Sequence, residues 1–296
     1  MSSKPVFKKE YLAYERKENG GFWTIIPKYH PETNELIINQ TSKDILDLCD
    51  GNKDIPALIE SMVTKYPSAS KELVTKDVDQ LLSSYSRLNL IAWENGSNPY
   101  ITKRDKLIDE SYSIAVGTEE ELESISKFIL DSKVLSQTVD THSIKNDMYY
   151  YKSPFADDNV YSVLSIRQKL FSYTEEFILL YKEDAICGVI GISMPIGPVS
   201  SAAIEFVYCP KAFAEQMFSY SHTILPHVCV RPIAKIKFLI SNTCPNNIEA
   251  DLAVMKYNQE ATLQNEYGFE SQIRIYSYHY DKKFIEEAYN RRRNFA

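Results

Sequence analysis

One carboxylate in the second half of the chain lies where it could take a proton from an amine. Glu205 lies within the apolar segment 202–208, whose composition predicts a strand. Partial burial on such a strand raises the pKa of a carboxyl group toward the range that suits a general base. Glu205 is therefore the candidate catalytic residue. Alternation along the strand equally allows it to lie on a solvated face or to pair with a lysine, so a structural role stays open.

Other reactive side chains lie close together in sequence without the spacing of a metal site. His222 and His227 are five residues apart, and Pro226 ends the predicted helix between them. Cys209 lies beside a helix start and could be a reactive thiol, although a buried structural cysteine is the more common case. The sequence contains no Ser-His-Asp order, no HExxH motif and no CxxC pair. We therefore predict no metal.

The composition is that of a globular protein from a reducing compartment. The chain has 296 residues, of which 44% are hydrophobic and 25% charged, with a formal net charge of −7. Nucleic-acid binding needs clustered Lys and Arg, so this charge argues against a nucleic-acid partner. The five cysteines are widely spaced, and no segment has the character of a signal peptide or the ~20 apolar residues that cross a bilayer. We predict a cytoplasmic protein with no membrane partner.

Turn and cap signals divide the chain into two domains. The first is predicted to have strands at 11–16, 22–27 and 36–39, helices with N-caps at Thr41, Asp54 and Thr75, and a closing strand at 90–93. The polar segment 94–100 contains a glycine and a proline, which is typical of a linker. We place one domain at 1–95, a linker at 96–110 and a second domain at 111–296.

The second domain alternates strands and helices, which indicates a mixed sheet flanked by helices. A capping box of Thr118 and Glu121 is predicted to begin a helix that ends near Asp131. Residues 132–160 have no clear element pattern. The other predicted elements are helices at 160–172, 213–225, 247–267 and from 282, and strands at 112–116, 176–181, 185–193, 202–208, 236–241 and 273–280. The predicted fold class is α+β / α/β.

Four short motifs lie between residues 20 and 95. They are NQTSKDILDLCDG at 39–51, KYP at 65–67, VTKDV at 74–78 and LNLI at 88–91. Together they resemble the PqqD-like family, the RiPP recognition element, although Asn89 stands where glycine is common. The resemblance implies a winged-helix-like domain of three strands and three helices. It also implies a partner, the leader segment of a ribosomally made precursor peptide.

The resemblance also implies how that peptide binds. An extended peptide would add as a strand beside a helix, in a groove between strand 36–39 and the third helix. The implied peptide-binding residues are Leu36, Ile37, Ile38, Asn39, Val78, Leu81 and Leu82. The last three also have the spacing of a helix core face, so a core role for them stays open. A winged-helix DNA reader has a similar element order, but Asp77 and Asp79 would repel phosphate.

A second set of motifs lies between residues 110 and 285. The hairpin sequence EFILLYKEDAICGVIGIS at 176–193, the strand IKFLIS at 236–241 and the ending YGFE at 267–270 occur in that order. Their order and spacing resemble the GNAT superfamily of acyltransferases. The resemblance implies acyl-CoA as cofactor, and it places Glu205 where some members have a general base.

The residues implied to hold acyl-CoA depart from the family pattern. They are Val207, Cys209, Ala214 and Gln216. No glycine lies between Gly197 and Gly268, although the family's turn at a helix start uses small residues so that backbone N–H groups can approach the pyrophosphate. When this turn is aligned on Pro210, Gln216 and Phe218 replace the small residues. Gln264 stands where the family often has a general-acid tyrosine. These departures predict weak or absent binding of acetyl-CoA.

Two functions follow from the two resemblances. The first is an acyltransferase that modifies a precursor peptide, with the leader held by the N-terminal domain so that the effective substrate concentration rises. The second is a non-catalytic adaptor that presents the precursor to a separate modifying enzyme, which would be a further partner. The retained fold and the fusion favour the first, whereas the lost glycines and the lost tyrosine favour the second. The hypothesis placed first is the acyltransferase.

Overall fold

A computed structural model describes residues 3–28, 36–87, 90–94, 98–100, 106–135, 147–156, 160–196, 198–229, 232–266 and 268–293. The chain forms two compact units, one built mainly from residues 1–102 and the other mainly from residues 103–289.

The N-terminal unit contains two small antiparallel sheets and three helices. Strands β2 (Leu12–Lys17), β3 (Phe22–Pro27) and β4 (Leu36–Asn39) form one sheet in that order, and β1 (Lys4–Phe7) pairs with β5 (Ile91–Glu94) in the other. The helices are α1 (Gln40–Leu48), α2 (Ile55–Lys65) and α3 (Lys71–Arg87). The predicted set of three strands and three helices is confirmed. Strand β1 was not predicted.

Side-chain caps begin all three of these helices, and that of α3 is Ser70, whose side-chain oxygen accepts a hydrogen bond from the Leu73 N–H at 3.2 Å. Asn39 begins α1, because its side-chain oxygen accepts a hydrogen bond from a first-turn N–H at 2.7 Å. The predicted cap, Thr41, lies inside the helix instead. Asp54 caps α2 as predicted, at 3.0 Å. Helix α3 begins at Lys71, so Thr75 lies in its second turn, where its hydroxyl donates to the Lys71 carbonyl at 2.9 Å.

The C-terminal unit is built on a nine-stranded mixed sheet. Its described strands are β6 (Lys106–Leu107), β7 (Tyr112–Val116), β8 (Met148–Lys152), β9 (Glu175–Lys182), β10 (Ala185–Ser193), β11 (Ser201–Pro210), β12 (Lys235–Ser241), β13 (Asn258–Gln264) and β14 (Gln272–His279). The order across the sheet is β13-β14-β12-β11-β10-β9-β7-β6, and β8 pairs with part of β11. Within this sheet, β11 and β12 form a parallel pair, and the other described pairs are antiparallel.

Helices cover both faces of this sheet. They are α4 (Leu122–Ser132), α5 (Val163–Phe171), α6 (Lys211–Val228) and α7 (Lys282–Arg293). Alternate residues of β9 enter two different cores, with Phe177 and Leu179 in one and Ile178 and Leu180 in the other. A strand buried on both faces reads as a continuous apolar run, as β9 does. The predicted mixed sheet flanked by helices is confirmed.

One predicted helix was wrong. Residues 247–266 do not form a long helix, because they contain a short 3-10 turn (Glu249–Asp251) and the edge strand β13. In β13, half-buried Ala261 and Leu263 alternate with exposed neighbours, which is the pattern of a strand. A 3-10 turn (Glu119–Glu121) leads into helix α4, which ends at Ser132, one residue past the predicted end. In the described part of the chain, no helix is long and apolar enough to cross a membrane.

A neutral histidine of α6 forms part of the core. The His222 ring stacks on Tyr278 with a centroid distance of 3.8 Å, and its Nε2 lies 3.0 Å from the Tyr257 hydroxyl oxygen. Burial lowers the pKa of His222 to about 4, because desolvation disfavours the imidazolium form. His222 therefore serves packing rather than metal binding.

The C-terminal unit should lose stability as pH falls from about 6.5, the ordinary histidine pKa, to about 4. Between these two pH values the imidazole of the unfolded chain binds a proton and His222 of the folded chain does not. The free energy of unfolding therefore falls by about 3 kcal/mol across this range. His222→Gln should remove this part of the pH dependence of the melting temperature. His227→Gln, at an exposed position of the same helix, is the control. A His222→Gln variant with the wild-type pH profile would contradict the assignment.

Candidate functional site

Strand β4 is an edge of the N-terminal sheet. It pairs with β3 on one side, where Ile37 lies opposite Thr24. No other strand in the described ranges pairs with its second side. An open edge presents backbone N–H and C=O groups to which an extended peptide can add. The backbone of β4 is therefore able to accept a further strand.

The side chains of β4 alternate between the core and solvent. Ile38 is buried, Leu36 is half-buried, and Ile37 is 64% exposed. Asn39 has a second role as the α1 cap. Phe22, which is 48% exposed, lies opposite Asn39 and therefore diagonally across from Ile37 on the same face. An added strand would lie next to Ile37, whereas Phe22 lies on β3, one strand farther from the open edge.

The opposite face of the sheet is held to α1 by polar contacts. The Trp23 indole N–H donates to Gln40 at 3.0 Å. The Lys43 ammonium forms an ion pair with Glu15 at 2.8 Å and lies 5.0 Å from the centre of the Trp23 ring. These contacts join β2 and β3 to α1, and β4 leads directly into the same helix. The edge strand is thereby held in place before any peptide arrives.

Three predicted peptide-binding residues lie inside the N-terminal unit. Val78 and Leu82 of α3 are fully buried, and Leu81 is 8% exposed. Their side chains form the core face of an amphipathic helix, where a peptide on the surface does not reach them. Their burial favours the core role that the sequence left open. The role of Leu36, Ile37, Ile38 and Asn39 in peptide binding stays a prediction.

Glu205 lies at an irregularity of β11. In the pairing with β10, Gly191 lies opposite Phe206 and Ile192 lies opposite Ile204. Glu205 is therefore the extra residue of a β-bulge, a feature that changes the direction of a side chain. The residue is half-buried. Glu205 therefore does not lie on the solvated face that the sequence left open.

A second carboxylate lies in the neighbourhood of Glu205. Glu175 is buried, accepts a hydrogen bond from the Tyr161 hydroxyl at 2.8 Å and forms an ion pair with Lys169. The pKa of Glu175 is raised to about 6, mainly by burial and also by the charge of Glu205, against the opposing effect of the Lys169 ammonium. Sequence reasoning missed Glu175, because its place just before a predicted strand gave no sign of burial.

The opening beside β11 is filled by the chain itself. Strands β11 and β12 pair only over residues 201–203 and 235–237. Beyond them, residues 206–210 of β11 pair with residues 148–152 of β8. In open α/β sheets, ligands bind beyond the carboxyl ends of parallel strands where neighbouring strands part, next to a helix N-terminus. In this protein β8 lies in that position.

Two residues implied to hold acyl-CoA are engaged by β8. Val207 lies opposite Tyr151, and Cys209 lies opposite Tyr149, in the β11–β8 ladder. Cys209 is fully buried, and burial raises the pKa of its thiol to about 12. Cys209 is thus a core residue and not a reactive thiol. The strand edge that would hold an extended cofactor already has a partner.

The start of α6 does not fit a pyrophosphate either. The Lys211 N–H, first in the helix, donates to the Asp147 carbonyl at 2.8 Å. Ala214 is buried, and Gln216 has a buried side-chain oxygen with no hydrogen-bond partner among the described residues. Phe218 is a core side chain. The prediction that Ala214 and Gln216 hold acyl-CoA therefore gains no support from the geometry.

The remaining candidate residues form no metal centre or acid–base pair. Gln264 is the exposed last residue of edge strand β13. Among the residues that the structure describes, no group of three His, Cys, Asp or Glu side chains could hold a metal ion.

Residues 28–91 match the family model of coenzyme PQQ synthesis protein D (PqqD). The matched range contains β4 and all three helices of the N-terminal unit. The predicted PqqD-like resemblance is thereby confirmed for this segment. Among curated proteins, none has a sequence that matches this chain.

The chain is similar in structure to several acetyltransferases. One, from Desulfovibrio desulfuricans and assigned to the GNAT family, is 8% identical, with a TM-score of 0.40 over 57% of this chain and 99% of the other. An acetyltransferase from Salmonella typhimurium that modifies the N-terminal serine of a 50S ribosomal protein is 12% identical, with a TM-score of 0.40 over 59% and 98%. A variant spermidine N-acetyltransferase from Vibrio cholerae is 12% identical, with a TM-score of 0.39 over 62% and 99%.

Proposed function

We propose that this protein binds the leader of a ribosomally made precursor peptide and presents the peptide to a modifying enzyme. The observation that carries this proposal is the open edge of β4, beside exposed Ile37, within the segment that matches PqqD. PqqD-type domains bind precursor peptides and work with modifying enzymes. The leader adds to β4 as a fourth strand of the N-terminal sheet.

Affinity and selectivity have separate sources in such a complex. Backbone hydrogen bonds to β4 are independent of the leader sequence, whereas side-chain contacts alternate along the added strand. The leader residue that lies beside Ile37 meets an exposed apolar side chain, so a β-branched or aromatic side chain suits this position. Because α1 holds the sheet in place, little ordering of β4 accompanies binding.

The geometry favours the adaptor over the acyltransferase for the C-terminal unit. The strand edge of Val207 and Cys209 is paired with β8, and the first N–H of α6 is bonded within the chain. These residues do not fit acyl-CoA, so we derive no step that uses it. In the adaptor function, the C-terminal unit acts in presentation, and a separate enzyme supplies the chemistry.

Ile37→Pro should weaken binding of the cognate leader at least about tenfold, because proline removes a ladder N–H from β4. Isothermal calorimetry on the full chain measures the affinity, and circular dichroism confirms folding. Ala13→Pro, on the opposite edge strand β2, is the matched control and should bind the leader as the wild type does. Unchanged affinity in a folded Ile37→Pro variant would show that the leader binds elsewhere.

Acyl transfer to the peptide remains a second candidate because of one observation. Glu205 is half-buried on a β-bulge, close enough to buried Glu175 for its charge to raise the Glu175 pKa. A carboxylate in such surroundings is suited to take a proton from an attacking amine. The source of the acyl group would then have to bind by contacts other than those implied for acyl-CoA.

If the protein transfers an acyl group, Glu205→Gln should lower the rate by about 10²–10⁴-fold, the usual contribution of a general base. Leader affinity should stay at its wild-type value, because β4 belongs to the other unit. Glu215→Gln, at an exposed position of α6, is the control and should keep the full rate. Full modifying activity in a folded Glu205→Gln protein would rule out Glu205 as the base.

A further inference from the structure

We propose that β8 is a resident strand that replaces a bound ligand beside β11, so that the C-terminal unit does not take up acyl-CoA. The proposal concerns this unit alone and does not depend on leader binding at β4. Residues 148–152 of β8 pair with residues 206–210 of β11, in the region where β12 is no longer paired with β11. Three further sets of contacts distinguish a resident strand from one that a ligand could displace.

The second edge of β8 is closed by the segment that follows β12. Tyr151 forms a β-bridge with Asn246. The Tyr150 N–H donates to the Asn247 side-chain oxygen at 2.9 Å, and the Asn247 side-chain N–H₂ donates to the Met148 carbonyl at 2.9 Å. The backbone N–H of Asn247 also donates to the Tyr150 carbonyl, at 3.2 Å. Asn247 thus acts on β8 as a neighbouring strand would.

The Tyr151 side chain replaces the backbone partner that β12 lacks. Its hydroxyl accepts a hydrogen bond from the Leu239 N–H at 3.1 Å and donates to the Leu239 carbonyl at 3.2 Å. Burial raises the pKa of this hydroxyl, so it stays protonated and can do both. The ring packs edge-on against Phe238 with a centroid distance of 4.8 Å. Removing β8 would leave Leu239 without these partners.

The side chains of β8 and the residue that follows it make further buried contacts. All five residues of β8 are buried. The Tyr149 hydroxyl bonds to Asp251, and the Lys152 ammonium donates to the Leu135 carbonyl at 2.5 Å. Just past the strand, the Ser153 N–H donates to the Glu205 carbonyl at 2.7 Å. A ligand would have to replace these buried contacts as well as the ladder.

The chain also blocks the anion position next to the strand. The residue before β8, Asp147, bonds through its carbonyl to the first N–H of α6. One continuous segment, 147–153, therefore occupies both the opening beside β11 and part of the helix start. A ligand with an extended arm and a phosphate would need these two places together. Helix α6 contains no glycine, which is consistent with a helix start that no phosphate approaches.

The test compares the full-length wild type with Asn247→Ala and with Asn258→Ala, the control at an exposed position of β13. Because two partly buried side-chain hydrogen bonds are lost, Asn247→Ala should lower the melting temperature by about 5 °C. Asn258→Ala should leave it within about 1 °C. Acetyl-CoA at about 1 mM, the upper end of common KM values, should shift none of them. If Asn247→Ala does not fold, Tyr151→Phe, which removes the hydroxyl bonded to Leu239, tests whether contacts of β8 stabilise the unit.

Three results would overturn the proposal. The first is a rise in the wild-type melting temperature with acetyl-CoA. The second is acetyl-CoA binding by Asn247→Ala alone, since β8 would then be a displaceable gate. The third is a wild-type melting temperature in folded Asn247→Ala and Tyr151→Phe. Leader affinity is measured separately, so a failure of leader binding at β4 would be recognised as such.

Discussion

A strand edge must have its backbone N–H and C=O groups paired with another strand or exposed to water, and this requirement governs both units. In the N-terminal unit, no described strand pairs with the second edge of β4. In the C-terminal unit, β8 pairs with the part of β11 that β12 does not cover. The proposals for the two units follow from this difference between their strand edges.

The C-terminal unit keeps the framework of a ligand-binding sheet. Strand β11, helix α6 and strand β12 form a parallel crossover, and the two strands separate after three paired residues. Such a separation normally leaves room for a ligand. Here the space is filled by β8, and Tyr151 and Asn247 satisfy the polar groups on its far side. Half-buried Glu205 is the residue that supports the alternative proposal, in which the unit transfers an acyl group with Glu205 as general base.

Local patterns predicted the elements whose signals are short-range. The apolar segments that became β4, β9 and β10 were recognised, as was the Asp54 cap. Thr41 and Thr75 are plausible caps by residue type, but Asn39 caps α1 and Ser70 caps α3, so both helices begin a few residues earlier than predicted. In the same way, β13 contains several good helix formers, and its pairing with β14 overrode them.

The contacts that decide the function were not readable from the sequence. Strand β8 has the sequence MYYYK, which lacks alternation because the strand is buried on both faces, and its partner lies more than fifty residues away. The burial of Glu175 depends on its partners Tyr161 and Lys169. The sequence predicts weak binding of acyl-CoA from the residues that replace small ones at the start of α6. The structure adds a separate reason, the strand that occupies the opening.

Hydrogen–deuterium exchange of the backbone amides, measured on the full chain, tests both strand edges in one experiment. With no ligand, the amides of β8 and of residues 206–210 should exchange slowly, and part of β4 should exchange quickly. A cognate leader should protect β4 and leave β8 unchanged, and acetyl-CoA should alter neither. Fast exchange in β8, or protection of residues 206–210 that appears only with acetyl-CoA, would contradict the account.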